Sequence, residues 1–312
     1  MKVLAISSGK KDGRHDSLAK AALMGAKDMG AEVEFINLFD LELKPCTGCN
    51  ACVVSLMNGG RGDCVMKDDY NWLEDKIFDA DALVFANPVF EKGVPSIMRI
   101  VQDRLCGPAN DYGMNLVAQK IAEGKGSEGP DKRKFKPKVV SFIASGGSDW
   151  TSRVSCDMNC AAMSGMWKVI DDVVYQWNAL LMMEEEKFNE CYQIGANLVK
   201  AAANPAEAKY LGTPGICPNC NSRNFLFTTE GKVLCEVCGV QGDMVCDNGA
   251  YTFIVPESEF ELAHTTIPGK IKHMDDINAN TGKAMAAMQT PEYKAVVQKY
   301  KDFISGSKPQ KA

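Results

Sequence analysis

Residues 2–29 read KVLAISSGKKDGRHDSLAKAALMGAKDM, and their pattern decides the fold class. Lys2 to Ile6 is a short apolar run of the kind that forms a strand buried on both faces, whereas Leu18, Ala22, Leu23 and Ala26 recur at helical spacing from Ser17 to about Met29. A polar, glycine-containing loop reaching Asp16 joins them, so the stretch is one βα unit. The alternation continues outward. Strands are expected at Glu32–Leu38, Ala82–Ala86, Val139–Ala144 and near Val169–Gln176, with helices at Asp69–Asp79, Pro95 to about Leu105, and Glu184–Ala203. Five strands alternating with helices predict a doubly wound parallel α/β sheet covered on both faces. Residues 106–137, rich in Gly, Pro, Lys and Asp, form a long excursion with one helix at Asn115–Ala122, and a stretch of that length marks function or mobility.

The 312 residues carry 35 Lys and Arg against 40 Asp and Glu, and a net charge of −5 supplies no general field for nucleic acid, which is not expected as a partner. No apolar stretch reaches the roughly 18 to 20 residues of a membrane helix, and no signal peptide is recognisable, so a cytoplasmic location without a membrane partner is expected. In a reducing compartment, 13 cysteines against 3 histidines point to metal or redox chemistry rather than to a disulfide framework. Linker composition at Asn204-Pro205 and Gly212–Gly215 divides the chain into residues 1–205, a small cysteine-bearing module at 206–257, and a tail at 258–312. Helices are expected in the tail near Lys270–Met288 and Pro291–Ile304, before a frayed end at Gly306–Pro309.

In a doubly wound sheet, ligands sit beyond the carboxyl ends of the strands. The first such loop, Ser7 to Ser17, offers hydroxyls, Lys10, Lys11, Arg14 and a helix N-terminus, which together suit a phosphate. Neither the Walker A pattern nor G-x-G-x-x-G occurs, so a monophosphate, as in FMN, fits better than a pyrophosphate. A solvated loop with ordinary capping by Asp16 or Ser17 is the alternative.

Four motifs in order carry a resemblance: Lys2-Val-Leu-Ala-Ile-Ser-Ser8, Lys44-Pro-Cys46-Thr-Gly-Cys49-Asn-Ala-Cys52, Gly62-Asp-Cys64-Val-Met-Lys-Asp68-Asp69 and Asn87-Pro-Val-Phe90. Over residues 1 to about 200 the chain resembles the NAD(P)H-dependent FMN reductase family, and its iron–sulfur flavoprotein branch in particular. The resemblance implies a flavodoxin-like sheet of order 2-1-3-4-5 with FMN at its carboxyl edge. It assigns Ser7, Ser8, Lys10, Arg14, His15 and Ser17 to the FMN phosphate. It assigns Asn87, Pro88, Val89, Phe90, Ser145, Gly146, Gly147 and Trp150 to the isoalloxazine ring. Departures occur where the family's usual Gly-Ser-Pro-Arg and Gly-Asn-Thr are Ser7-Ser8-Gly9-Lys10 and Gly13-Arg14-His15, and where the usual Tyr is Phe90.

The cysteines fall into two sets. Cys46, Cys49 and Cys52 have the C-x2-C-x2-C spacing that places three thiolates on one [4Fe–4S] cube, with Cys64 as the fourth, although the branch it resembles has a shorter gap before that residue. Free thiols packing a loop are the other reading. Cys217, Cys220, Cys235 and Cys238 form two C-x2-C knuckles around a Phe225–Val233 hairpin, a zinc-ribbon or rubredoxin-like pattern whose spacing does not separate zinc from iron. Cys106, Cys156, Cys160, Cys191 and Cys246 have no ligand spacing, and Met158, Met163, Met166 and Trp167 read as packing.

The expected function is therefore an FMN-dependent NAD(P)H oxidoreductase passing electrons to a quinone, a small organic electrophile or a protein acceptor, with a [4Fe–4S] cluster as an intermediate carrier. The cofactor carries the chemistry, so no catalytic side chain is named. An electron-transfer flavoprotein without a small-molecule substrate is the second reading, and a scaffold that has lost FMN the third. The long excursion favours an enzyme or an oligomer, since it is long enough to cover the flavin of its own or a neighbouring subunit, and a homo-oligomer, a dimer or tetramer, is expected.

Overall fold

The computed structural model describes residues 1–308. Val3, Leu4, Ala5 and Ile6 are at most 1% exposed because β1 (Lys2–Ser7) lies between two neighbours, β2 (Glu32–Asn37) and β3 (Ala82–Pro88). With β4 (Val139–Ser145) and β5 (Lys168–Tyr175) they make a fully parallel sheet of order β2-β1-β3-β4-β5. This is the expected flavodoxin-like order. The continuous apolar strands follow from burial on both faces.

Helix α1 (Arg14–Asp28) covers one face, starting three residues before the expected Ser17. The helix after β2, α2 (Ala51–Met57), falls inside the first cysteine stretch, where none was expected. Helices α3 (Tyr70–Asp79) and α4 (Ser96–Leu105) cover the opposite face, packing Leu73, Ile77, Met98 and Val101 on Leu4, Ile6, Phe85 and Phe142. At the base of that layer, the buried Lys138 donates to Phe78 O at 2.7 Å and to Ala80 O at 2.5 Å, satisfying carbonyls at the end of α3.

The excursion holds α5 (Tyr112–Lys125), longer than expected. It is used for packing: Met114 and Ala118 meet Leu56 of α2 and Met274 of the tail. Helix α6 (Val154–Ser164) joins β4 to β5, and Met158 and Trp167 are core residues as expected. Helix α7 (Glu185–Ala203) returns beside α1.

Beyond the linker, β6 (Phe225–Phe227), β7 (Val233–Cys235), β8 (Gln241–Asp247) and β9 (Ala250–Ile254) form an antiparallel four-stranded sheet. The expected hairpin is β6–β7, and β8–β9 extends it. The chain continues as α8 (Glu257–Glu261), α9 (Ile267–Met288) and α10 (Pro291–Phe303). Residues 304–308 carry no helix or strand, and Pro309, the last residue of the stretch expected to fray, lies outside the described residues.

Candidate active site and metal centre

β1 delivers Ser7 and Ser8, both buried, to the carboxyl edge of the sheet. Ser8 N donates to Ala86 O at 3.0 Å and its hydroxyl to Asn87 Oδ1 at 2.6 Å, tying this loop to the end of β3. A Cβ on Gly9 would lie 2.6 Å from Cβ of His15, so only glycine fits under the imidazole. Asn37 Nδ2 closes the turn by donating to Gly9 O at 3.1 Å and to Asp16 Oδ1 at 2.8 Å, while Asp12 N donates to Asp16 Oδ2 at 2.8 Å. Asp16 is thereby occupied within the loop, and the Ser17 hydroxyl donates to Gly13 O at 3.2 Å. Neither caps α1, whose N-terminus has no side-chain cap at all. Free N–H groups and the positive end of the helix dipole are left beside exposed Lys10 and half-buried Arg14.

The ends of β3 and β4 are joined by Val89 N donating to Ser145 O at 3.0 Å. Ser145 is a junction: its Oγ lies 2.7 Å from His15 Nε2 and accepts from Asn178 Nδ2 at 2.8 Å, and Arg14 Nη1 donates to Asn178 O at 2.6 Å. Gly146 and Gly147 follow, and a Cβ at Gly147 would meet nothing within 4 Å. Phe90, Trp150 and Trp177 leave the ends of β3, β4 and β5 with 62%, 64% and 66% of their surface exposed. Lys92 Nζ sits 5.4 Å from the Trp150 ring centroid. The structure thus brings the expected residues of three loops to one sheet edge. Sequence reasoning missed Asn178 and Trp177, which lie beyond the last assigned strand, outside any expected element.

Burial pushes the His15 imidazole down to about 4, and Arg14 adds to the shift. Burial pushes the Asp172 carboxyl on β5 up to about 6, against hydrogen bonds from Asn159 and Ser155. The two act in opposite senses. His15 contributes stability near neutral pH that is lost as pH falls from about 6.5 toward 4, whereas the Asp172 contribution is present at low pH and lost as pH rises through about 6; each is on the order of 3 kcal/mol at about 1.4 kcal/mol per pH unit. Asp172→Asn is expected to steepen the loss of stability with acid relative to the parent, and His15→Asn to make stability fall as pH rises over the same range. Thermal melts from pH 4 to 7 check this, and three parallel profiles would refute it.

Cys46 and Cys49 are exposed, and Cys52 and Cys64 are half-buried. Helix α2 absorbs the long gap: Leu56 anchors it, Gly62 (φ +82°) turns over Leu56, and Cys64 returns to Cys52. All four cysteines line one cavity of about 60 Å³ together with Gly62, Tyr70, Arg104 and Asn110. Burial raises the Cys52 thiol, and Cys64 and Cys49 raise it further. The Cys49 thiol is lowered, first by the Ala51 N–H at the start of α2.

The second set is closed. The sulfurs of Cys217, Cys220, Cys235 and Cys238 all lie within 4.8 Å of one another, the one such group among the described residues, and this is a four-cysteine metal site. Gly239 (φ +76°) follows the second knuckle, and His264 fills the space a Cβ there would need. Cys156 and Cys160 on α6 pack against this module, and Cys191 is in the main core. Cys235→Ser is expected to loosen residues 216–255 while FMN stays bound, because the parallel sheet has its own core. Hydrogen exchange checks this, and unchanged protection of β6–β7 would contradict it.

A cavity of about 840 Å³ runs along the free edge of β5 between α7 and the cysteine module, with Thr151 and Gln176 at its border. Its lining is polar, with Asp171, Asp172 and Glu190 against Arg223. No described helix is long and apolar enough to cross a membrane.

Comparison with known proteins agrees with this geometry. A solved flavone reductase is 42% identical, with 99% of this chain and 100% of that one covered at a TM-score of 0.89. The flavone synthase cfoJ of Aspergillus candidus is 26% identical over 289 residues, 89% of this chain and 88% of that protein. An iron–sulfur flavoprotein of Methanocaldococcus jannaschii is 36% identical over 105 residues, 33% of this chain and 51% of that protein. Residues 1–175 match the NADPH-dependent FMN reductases, and the chain belongs to that family of flavin oxidoreductases.

Proposed function

We propose that the protein uses FMN and a reduced nicotinamide to reduce a small planar electrophile with a conjugated carbonyl, a flavone being the first candidate. The observation that carries this is the full-length likeness to flavone reductase. The aromatic rim of Phe90, Trp150 and Trp177 supports it, since flat side chains offer stacking faces to a flat acceptor. The loops fit FMN. The uncapped α1 terminus with Lys10 and Arg14 is a cationic, N–H-rich donor set for a dianionic phosphate, and Ser7, Ser8, His15 and Ser17 would line it. Asn87, Pro88, Val89, Phe90, Ser145, Gly146, Gly147 and Trp150 would border the ring, and the space over Gly147 admits one.

When bound, FMN supplies the hydride chemistry that links nicotinamide to acceptor. The chain's own task is positioning. His15 and Asn178 fix Ser145, Ser8 fixes Asn87, and the two glycines let backbone approach the ring. The rim aromatics orient the acceptor and exclude water from it.

The first cysteine set would hold a [4Fe–4S] cluster. Its four thiols share a cavity without meeting at single-ion distance, and similarity to iron–sulfur flavoproteins points the same way. The closed second set would hold structural zinc within the unit 206–257. That same similarity favours a second reading, electron exchange with protein partners and no small-molecule substrate.

Anaerobic purification with FMN, iron, zinc and sulfide analysis, followed by NADH and NADPH oxidation assays, tests the proposal. Flavone-dependent turnover is expected. Oxidation supported only by one-electron acceptors would favour the second reading, and absence of FMN would remove both.

A further inference from the structure

Arg104, at the end of α4, has a side chain only 2% exposed, paired with an Asp68 side chain at 0%. Its Nη1 and Nη2 donate to Asp68 Oδ2 and Oδ1 at 2.5 and 3.1 Å, and Nη1 also donates to Lys44 O at 3.2 Å. The guanidinium carbon lies over the Tyr70 ring, 3.9 Å from its centroid. These contacts fix the plane of the guanidinium. They leave Nε buried and without any hydrogen-bond partner. Leaving a buried donor unsatisfied is costly, so an N–H held there by an ion pair and a ring needs an acceptor.

The acceptor is indicated by what else is present. Arg104 lines the cavity shared by Cys46, Cys49, Cys52 and Cys64.

We infer that Arg104, locked by Asp68 and Tyr70, donates its Nε–H to sulfur at the first cysteine set and thereby tunes a cluster held there. This rests on the reading above that the set holds a [4Fe–4S] cluster. A cluster gains negative charge when reduced, so an N–H donor and a fixed cation beside its sulfurs favour the reduced form and raise the potential. Arg104 is a positioning residue in this role, and no electron passes through it.

The test compares the full-length, FMN-loaded protein with Arg104→Lys, which keeps the charge and loses the planar fork. Both are reconstituted anaerobically with iron and sulfide. Labile sulfide is assayed, and the cluster potential is titrated with EPR detection. Equal sulfide with a more negative potential in the variant is the expected result, and loss of sulfide from a variant that keeps FMN and the parental melting temperature would also support the role. A variant with parental sulfide and parental potential would overturn the role of Arg104 and leave the cluster reading intact. A parent protein that takes up no sulfide would overturn the cluster reading itself, before any variant is made. If Arg104→Lys does not fold, Arg104→Gln is read by the same criteria.

Discussion

Lys10→Glu combined with Arg14→Glu is expected to strip the protein of FMN. The α1 terminus lacks a side-chain cap because its N-cap residue is Gly13, and Asp16 of the first turn is held by Asn37 and Asp12, so the phosphate would replace the missing cap and take its charge balance from these two cations. A charge-assisted hydrogen bond contributes about 1.5–3 kcal/mol, and reversing both charges should weaken FMN binding by roughly 100-fold or more. Lys10 is exposed and Arg14 half-buried, so the fold should survive. A change at Ser8 would be a poorer probe, because Ser8 is buried and bonded to Asn87. Flavin fluorescence titration with far-UV circular dichroism as a control reads the result. Unchanged affinity in a folded double variant would place the phosphate elsewhere.

Gly195→Val is expected to produce the largest loss of stability of any single change in the main domain. Helices α1 and α7 touch backbone to backbone. A Cβ at Gly195 would fall 1.7 Å from Ala22 O, and one at Gly25 would fall 1.9 Å from Tyr192 O. Neither obstacle is a flexible side-chain end, so the helices must separate, and the packing of Leu18, Ala22, Ile194 and Leu198 is lost with them. Overpacking a core ordinarily costs about 1–3 kcal/mol, and a clash with main chain on both helices belongs at or above the top of that range. Because α1 carries the phosphate loop, FMN affinity should fall as well. Denaturant titration with and without FMN measures both effects, and a loss under about 1 kcal/mol would show that the helices are not held by this contact.

The sheet was legible because its central strands are mostly apolar runs, broken by Ser141 within β4, and burial on both faces demands such runs. The second cysteine set was legible from spacing alone, since two C-x2-C knuckles bring four sulfurs together whatever surrounds them. Helix α2 was not, because a seven-residue helix inside a cysteine-rich stretch shows too few turns for periodicity to register. Helix α6 has apolar residues on most sides, since it packs on the sheet and on the cysteine module at once. The Ser145 junction joins residues 130 and 33 positions apart, and Arg104 meets Asp68 across 36. Such contacts depend on topology and leave no local pattern. The apolar residues of the excursion at 106–137 support α2 and α9, a packing that likewise depends on distant partners.

The proposed function is tested most directly by identifying the product. FMN-loaded protein is incubated anaerobically with a flavone and a reduced nicotinamide, and the products are analysed by mass spectrometry alongside nicotinamide consumption. Reduction of the conjugated double bond requires a product two hydrogens heavier than the flavone, formed in equal amount to the nicotinamide oxidised. Recovery of unchanged flavone from protein whose bound FMN is nevertheless reduced by the nicotinamide would contradict the account.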